Sequence, residues 1–282
     1  MAVTAKEIAV SIRCGKANLA GIHHAVDNPS CSVVFIAGQP QTKVGPHRLF
    51  VHIARQLADI GVSSIRFDIA GWGDSTGEAK AYSNIGDSIQ AIHRWLVETH
   101  PSKIPIVFFG LCDGATASIF AMKDLPVAGA ILLNPYFRDE SEHAKAVLNQ
   151  HYLPQLANKE ALMSHLKHPW RLPGKILGLI QQWCSSKRGT TNPQTVQILE
   201  AMARFSNPCL LGFSGNDFTA TQAKNQLQSW LDTQPENVSV TTFENADHTF
   251  SNTIFKQSLI KCIIDFLTSN ALCKLGNIEA RS

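Results

Sequence analysis

The sequence alternates short, continuous apolar runs with longer segments of helical periodicity, and this rhythm limits the folds open to the chain. Runs without a polar side are typical of strands in a sheet that is covered on both faces. The runs lie at residues 32–37, 64–69, 104–109, 127–133, 209–213 and 238–243. The helical segments lie at residues 48–60, 85–99, 113–122 and 258–268. The alternation predicts an α/β fold with a mostly parallel, doubly wound sheet.

The stretch between the fourth and fifth runs interrupts this rhythm. Residues 138–205 are rich in His, Gln, Lys and Leu, and pieces such as 140–150 and 159–166 have a helical pattern. A connection of this length is uncommon inside a compact domain. We expect a helical cap at 138–205, inserted into a core of residues 1–137 and 206–282. A pair of ordinary surface helices is the alternative.

The composition excludes several classes of function. The chain has 282 residues, 44% of them hydrophobic, which is enough for one large domain with a substantial core. A net charge of +3 without a dense basic run argues against a nucleic-acid partner. The sequence predicts neither a membrane span nor a signal peptide. The seven cysteines lack the spacing of a disulfide framework or zinc site, so we expect a cytoplasmic location, where thiols stay reduced.

The segment Gly110-Leu-Cys-Asp-Gly114 joins an apolar run to a helix of small residues, and it holds a candidate nucleophile. Its frame is that of the G-x-S-x-G nucleophile elbow, with cysteine in place of serine. This strained turn needs small neighbours, which Gly110 and Gly114 supply. The helix N-terminus favours the thiolate of Cys112, an effect that the charge of Asp113 partly opposes. A packed cysteine in a chance glycine frame is the alternative.

Two later loops hold the partners that such a nucleophile needs. Asp217 follows the fifth apolar run, and His248 follows the sixth. The order nucleophile, acid, histidine is that of the α/β-hydrolase triad, in which the histidine moves the proton and the acid fixes its tautomer. Asp217 as a helix cap, or Asp247 as the acid, are the alternatives. We favour a triad of Cys112, Asp217 and His248 because all three positions fit together.

The oxyanion of an acyl-transfer intermediate needs N–H donors. One is predicted at the backbone of Asp113, directly after the nucleophile. The other is predicted in the loop after the first apolar run, at Gln39, because Pro40 has no N–H. A plain turn at residues 38–40 is the alternative.

A glycine-rich segment, FDIAGWGDSTG at residues 67–77, follows the second apolar run. It lacks both the dinucleotide-binding pattern and the lysine of a phosphate-binding loop. We predict a structural turn in which Asp74 and Ser75 are turn-forming rather than catalytic.

These motifs together resemble the α/β-hydrolase superfamily and, more narrowly, the exosortase A system-associated hydrolase 1 group. The resemblance rests on residues 67–75, 110–114, 213–217 and 247–250, with GPHR at 45–48 and NPYFR at 134–138. It runs from about residue 32 to residue 266 and is weakest in the cap region. The resemblance implies the α/β-hydrolase fold and the same triad.

A cysteine nucleophile predicts the class of substrate. Attack on a thioester forms an enzyme thioester of nearly equal energy, whereas oxygen esters react less favourably and amides least. We expect a thioesterase or esterase that acts on an acyl thioester or ester, with coenzyme A or an acyl carrier protein as one form of donor, and without a metal or organic cofactor. An acyltransferase or cyclising enzyme that uses an amine or alcohol acceptor is the alternative, and a non-catalytic binding protein is a third reading. Arg138 is a candidate ligand for a substrate carboxylate or phosphate, or a partner in a structural ion pair.

Overall fold

One sheet of eight strands organises the part of the chain that the computed structural model describes, residues 5–81, 84–100, 103–137, 193–233 and 235–273. In chain order the strands are β1 (Ala5–Cys14), β2 (Ala17–Val26), β3 (Ser32–Ile36), β4 (Ser63–Phe67), β5 (Ile106–Leu111), β6 (Gly129–Leu133), β7 (Cys209–Ser214) and β8 (Val238–Phe243). In space their order is β1-β2-β4-β3-β5-β6-β7-β8. The pairs β1–β2 and β2–β4 are antiparallel, and every later pair is parallel. The predicted mostly parallel α/β sheet is confirmed.

The helices of the described residues connect these strands. They are α1 (Leu49–Asp59), α2 (Gly86–Thr99), α3 (Asp113–Ala121), α4 (Pro193–Arg204), α5 (Phe218–Leu231) and α6 (Thr253–Ser269). Helix α6 begins before the predicted residue 258, because the side chain of Asn252 accepts the N–H of Ile254 and caps the helix there. None of the helices in these ranges has the length and apolar character of a membrane span.

Strands β1 and β2 were not predicted, and their burial explains why. In β2, buried residues alternate with more exposed ones, and most of β1 is exposed. A continuous apolar run marks only strands that are covered on both faces. The antiparallel pair at the edge of the sheet therefore lacks the signal by which the inner strands were found.

Two hydrophobic clusters lie on opposite faces of the sheet. Val34 and Ile36 of β3 pack in the cluster that includes residues of α2 and α3. Val33 and Phe35 pack in the cluster that includes residues of α1 and α6. Because successive side chains of a strand point to opposite faces, the two clusters place helices on both sides of the sheet. This is the doubly wound arrangement that was predicted.

The chain divides into two compact units, residues 1–137 with 197–282 and residues 138–196. The predicted cap at 138–205 falls mostly outside the described residues and stays a prediction. Ile198, Ala201 and Met202 of α4 are buried in the same cluster as α2 and α3. The C-terminal part of α4 therefore packs in the core of the first unit, although it lies within the predicted cap range.

The parallel strands bring several loops to one edge of the sheet. Gln39 follows β3, Cys112 follows β5, Asn134 follows β6, Asp217 follows β7 and His248 follows β8. The carboxyl ends of parallel strands meet at the same edge, which is where open α/β sheets bind ligands. Residues far apart in the sequence therefore come together there.

Candidate active site

Cys112 occupies a strained turn between β5 and α3. Its backbone lies at φ 58° and ψ −126°, outside the regions that non-glycine residues favour, and its N–H donates to the carbonyl of Leu133 at 2.9 Å. A Cβ added at Gly110 would lie 2.5 Å from the backbone of α3, and one at Gly114 would lie 2.3 Å from the carbonyl oxygen of Ile36. Both glycines are therefore required by close packing, as the elbow motif predicts.

The ring of His248 is held by Asp217. Nδ1 of His248 lies 2.6 Å from Oδ2 of Asp217, with side-chain exposures of 28% and 9%. The same carboxylate caps α5 by accepting the N–H groups of Thr219 and Ala220 at 3.2 and 3.0 Å. Asp217 is thus both a helix cap and the partner of the histidine, because one carboxylate can accept several hydrogen bonds.

Asp247, the alternative acid, shapes its own loop instead. It accepts the N–H groups of Thr249 and Ser251 at 2.8 and 3.1 Å. Burial acts to raise the pKa of Asp247, but hydrogen bonds from Ser251 and Thr249 outweigh this effect and lower the pKa to about 2. Asp217, and not Asp247, therefore faces Nδ1 of His248.

The surroundings of His248 favour its protonated form. The hydrogen bond with Asp217 and a contact with the Cys112 thiol raise the pKa of His248 to about 10, against the opposing effect of burial. Since Nδ1 is engaged by Asp217, Nε2 is the nitrogen that is free to exchange a proton with the thiol. The three groups form a chain from carboxylate to imidazole to thiol.

The loop after β3 and the start of α3 meet through the carboxylate of Asp113. The backbone N–H of Gln39 donates to Oδ2 of Asp113 at 3.0 Å. Burial raises the pKa of Asp113, although the N–H groups of Gln39 and Asp113 and the thiol of Cys112 act in the opposite direction. A Cβ added at Gly38 would lie 2.0 Å from Oδ1, so only glycine leaves room for this carboxylate. Of the two N–H groups predicted as oxyanion donors, that of Gln39 thus donates to a carboxylate of the protein itself.

Known proteins share this sequence pattern and this fold. A family model described as "Serine aminopeptidase, S33" matches residues 46–252, which is more than half of the chain. The protein belongs to this α/β-hydrolase family. No curated protein sequence matches the chain.

Solved structures of other α/β-hydrolases have the same fold at low sequence identity. The esterase Pf2001 of Pyrococcus furiosus has 16% identity and a TM-score of 0.67, over 95% of this chain and 94% of that chain. Est1E of Butyrivibrio proteoclasticus, with ferulic acid bound, has 16% identity and a TM-score of 0.62, over 93% and 99% of the two chains. A dienelactone hydrolase of Anabaena variabilis has 14% identity and a TM-score of 0.62, over 94% and 98%. The α/β-hydrolase fold is confirmed.

A buried ion pair anchors the loop that holds Gln39 in this hydrolase. The backbone N–H of Lys43 donates to Oδ1 of Asp68 at 2.6 Å, and its Nζ lies 2.5 Å from Oδ2 of Asp68 and 2.6 Å from Asp74. The hydroxyl of Ser75 donates to the backbone carbonyl of Asp68 at 2.7 Å. The turn at residues 67–77 is therefore structural, as predicted, and Asp68 links it to the loop after β3.

Asn134 and Ser214 hold the histidine loop of the hydrolase, a role that was not predicted from the sequence. Nδ2 of Asn134 donates to Oγ of Ser214 at 2.9 Å and to the carbonyl of His248 at 3.1 Å, while Oδ1 accepts the N–H of Ser214 at 2.8 Å. Oγ of Ser214 in turn donates to the carbonyl of Asp247 at 2.9 Å. The signal was present in the NPYFR segment, where a polar amide directly follows a buried strand.

Acyl transfer by Cys112, His248 and Asp217 requires no cofactor. Within the described part of the hydrolase, no set of three or more His, Cys, Asp or Glu side chains is arranged to hold a metal ion. Arg138, the candidate substrate ligand, lies outside that part. A thiol, an imidazole and a carboxylate are sufficient for covalent acyl transfer.

Proposed function

We propose that this protein is an acyl-transfer hydrolase, a thioesterase or esterase, that acts through an acyl-cysteine on Cys112. The observation that carries the proposal is the position of His248, which bonds Asp217 at 2.6 Å through Nδ1 and also contacts the Cys112 thiol. If Cys112 were only a packed cysteine and Asp217 only a helix cap, neither residue would require a histidine between them. The family description names serine, so the cysteine at the elbow is the feature that separates this proposal from a serine hydrolase.

Acylation follows from the proton positions. With the thiol proton held on Nε2 of His248, Sγ of Cys112 attacks the carbonyl carbon of the substrate to form a tetrahedral oxyanion. When the intermediate collapses, the bond to the leaving thiol or alcohol breaks and His248 donates the proton to that group. Asp217 keeps Nδ1 protonated and supports the imidazolium throughout.

Deacylation reverses these roles. His248 takes a proton from water, the water oxygen attacks the acyl carbon, and the bond between that carbon and Sγ breaks. The proton taken from water stays with the pair of Cys112 and His248, which restores the resting state, and a carboxylic acid leaves. The backbone N–H groups of Gln39 and Asp113 are the proposed donors to the oxyanion in both steps.

A thioester is the preferred substrate class in this proposal, because the exchange of one thioester for another is nearly neutral in energy. Coenzyme A and an acyl carrier protein are the proposed carriers of the acyl group. The motifs at residues 45–48 and 134–138 support a place in the exosortase A system-associated hydrolase 1 group. An amine or alcohol in place of water as the acceptor would make the same acyl-enzyme a transferase.

Intact-protein mass spectrometry tests the proposal. The protein is mixed with acyl-coenzyme A thioesters of several chain lengths and with p-nitrophenyl esters, beside Cys112→Ala and His248→Gln. We expect an acyl adduct or thiol release that depends on Cys112, and a loss of turnover in His248→Gln. Cys209→Ala is the matched control, because that cysteine is fully buried in the core.

The outcomes separate the candidate functions. An adduct that water discharges supports the hydrolase, and one that only an added amine or alcohol discharges supports the acyltransferase. Reaction that persists in Cys112→Ala, or no reaction with any donor while iodoacetamide labels Cys112, overturns the proposal and favours a binding protein.

A further inference from the structure

The carboxylate of Asp113 accepts a hydrogen bond from one of the two backbone N–H groups that are proposed to bind the oxyanion. Oδ2 accepts the N–H of Gln39 at 3.0 Å. The residue directly follows the nucleophile, at the first position of α3. A substrate oxygen that is bound by the N–H of Gln39 would have to displace this carboxylate.

We infer that Asp113 is an internal competitor of the substrate, whose carboxylate fills the oxyanion hole of the resting enzyme and must leave before a substrate carbonyl can enter. The inference rests on the proposed acyl-cysteine function and adds to it a residue that controls access to the reactive state. An N–H group can stabilise one anion at a time, and two anions in one small site repel each other. The hole is therefore closed to an oxyanion whenever the carboxylate is in place.

The favourable interaction of an acid with the N-terminus of α3 does not explain the hydrogen bond between Asp113 and Gln39. An acid in the first turn of a helix is favoured by the helix dipole alone, wherever its side chain points. Asp87 occupies the first turn of α2, and there the carboxylate pairs with the exposed side chain of Lys80 at 3.1 Å. Asp113 instead turns onto the backbone of another loop, against a glycine at which any side chain would collide with it.

An internal competitor has a kinetic signature. The fraction of molecules with an open hole is a property of the protein, so it lowers the apparent affinity for every acyl donor by the same factor. Alkylation of Cys112 by iodoacetamide forms no oxyanion and does not need the hole. The ratio of the acylation rate to the alkylation rate therefore isolates the effect of Asp113 on the hole from its effect on the thiol.

The test compares wild type with Asp113→Ala and Asp113→Asn in this ratio, using two acyl-coenzyme A donors of different chain length. A single oxyanion donor contributes about 10²–10³-fold to rate, so release of the hole in Asp113→Ala should raise the ratio by about 10-fold or more. The increase in the ratio should be equal for the two acyl-coenzyme A donors. Asp113→Asn keeps an oxygen acceptor without the charge and should give a smaller increase. Asp87→Asn removes a helix first-turn acid elsewhere and should leave the ratio unchanged.

The failure of this inference is distinguishable from the failure of the proposed function. An unchanged or lower ratio in both Asp113 variants, with wild type still acylated, overturns the inference alone. If no variant reacts with any thioester, the proposed function fails, and the amide proton resonance of Gln39 decides the occupancy of the hole. Loss of the hydrogen bond to the carboxylate should move that resonance upfield in Asp113→Ala, and an unmoved resonance overturns the inference.

Discussion

The side-chain amide of Asn134 donates a hydrogen bond to the backbone carbonyl of His248 at 3.1 Å, and thereby connects the end of β6 to the loop after β8. Asn134 is fully buried and also exchanges two hydrogen bonds with Ser214 at the end of β7. Three neighbouring strand ends are thus joined by one side chain. Because this amide holds the backbone of His248, we expect it to help position the imidazole.

Loss of the Asn134 amide should lower both stability and activity. Asn134→Ala leaves buried partners without hydrogen bonds, so we expect the free energy of unfolding to fall by about 2–3 kcal/mol, measured by urea denaturation. Asn134 lies at φ 45°, which glycine tolerates better than alanine. Asn134→Gly should therefore be less destabilised than Asn134→Ala by about 1 kcal/mol, while the acylation rate falls in both. Equal acylation rates in wild type and Asn134→Gly would contradict a positioning role.

Substitutions of Asp217 should separate its role as the cap of α5 from its role as the partner of His248. Asparagine is a good helix cap, so Asp217→Asn should keep the start of α5 and change the free energy of unfolding by less than about 1 kcal/mol. It cannot support the imidazolium as a carboxylate does, so the acylation rate should fall by about 10³–10⁴-fold. Asp217→Ala should lose both the rate and the cap. A rate in Asp217→Asn that is close to wild type would show that the contact with His248 is not used.

The raised pKa of His248 predicts a pH-dependent stability. Its pKa is about 10 in the folded protein against 6.5 for an ordinary histidine. Protonation therefore stabilises the fold fully below about pH 6.5, and this contribution is lost as the pH rises through about 10.

Urea denaturation of wild type and His248→Gln at about pH 6 and pH 10 measures this effect. The excess stability of wild type should be larger at the lower pH by about 2 kcal/mol, a value reduced for the partial exposure of the ring. An excess that is larger at the higher pH would contradict the assigned direction of the shift.

The turn at Cys112 should store strain that glycine releases. With φ at 58° and ψ at −126°, a Cβ at this position costs about 1–3 kcal/mol, whereas glycine costs about 0.5–1 kcal/mol more entropy on folding than alanine. Cys112→Gly should therefore be more stable than Cys112→Ala by about 1 kcal/mol in urea denaturation, with both inactive. A more stable alanine variant would mean that the turn relaxes when the thiol is removed.

The two acids that contact Lys43 should differ in importance. Asp68 is completely buried and accepts both the backbone N–H and Nζ of Lys43, whereas the side chain of Asp74 is 79% exposed. Asp68→Asn places an amide donor against other donors, and we expect it to cost about 2–4 kcal/mol and to slow acylation by displacing the Gln39 loop. Asp74→Ala should leave thermal stability and acylation nearly unchanged. Similar thermal shifts in the two variants would contradict a role for burial.

Local sequence patterns determined much of this fold. The inner strands and the helices α1, α2, α3 and α6 were predictable because apolar periodicity records which faces are covered. The elbow at residues 110–114 was predictable because close approach of backbone demands glycine. The order of Cys112, Asp217 and His248 along the chain was sufficient to propose a site, since successive parallel strands end at the same edge.

Only the tertiary structure decided which groups meet at that edge. Asp217 and Asp247 both precede His248 in the sequence. Which of the two carboxylates contacts the imidazole depends on how the loops after β7 and β8 approach each other. From the sequence, only the backbone N–H of Asp113 was predicted to have a role. In the structure its side-chain carboxylate accepts the N–H of Gln39, 74 positions away. Contacts of this kind are set by the packing of separate loops on a shared sheet, and a local pattern of residues does not encode the distance between two loops.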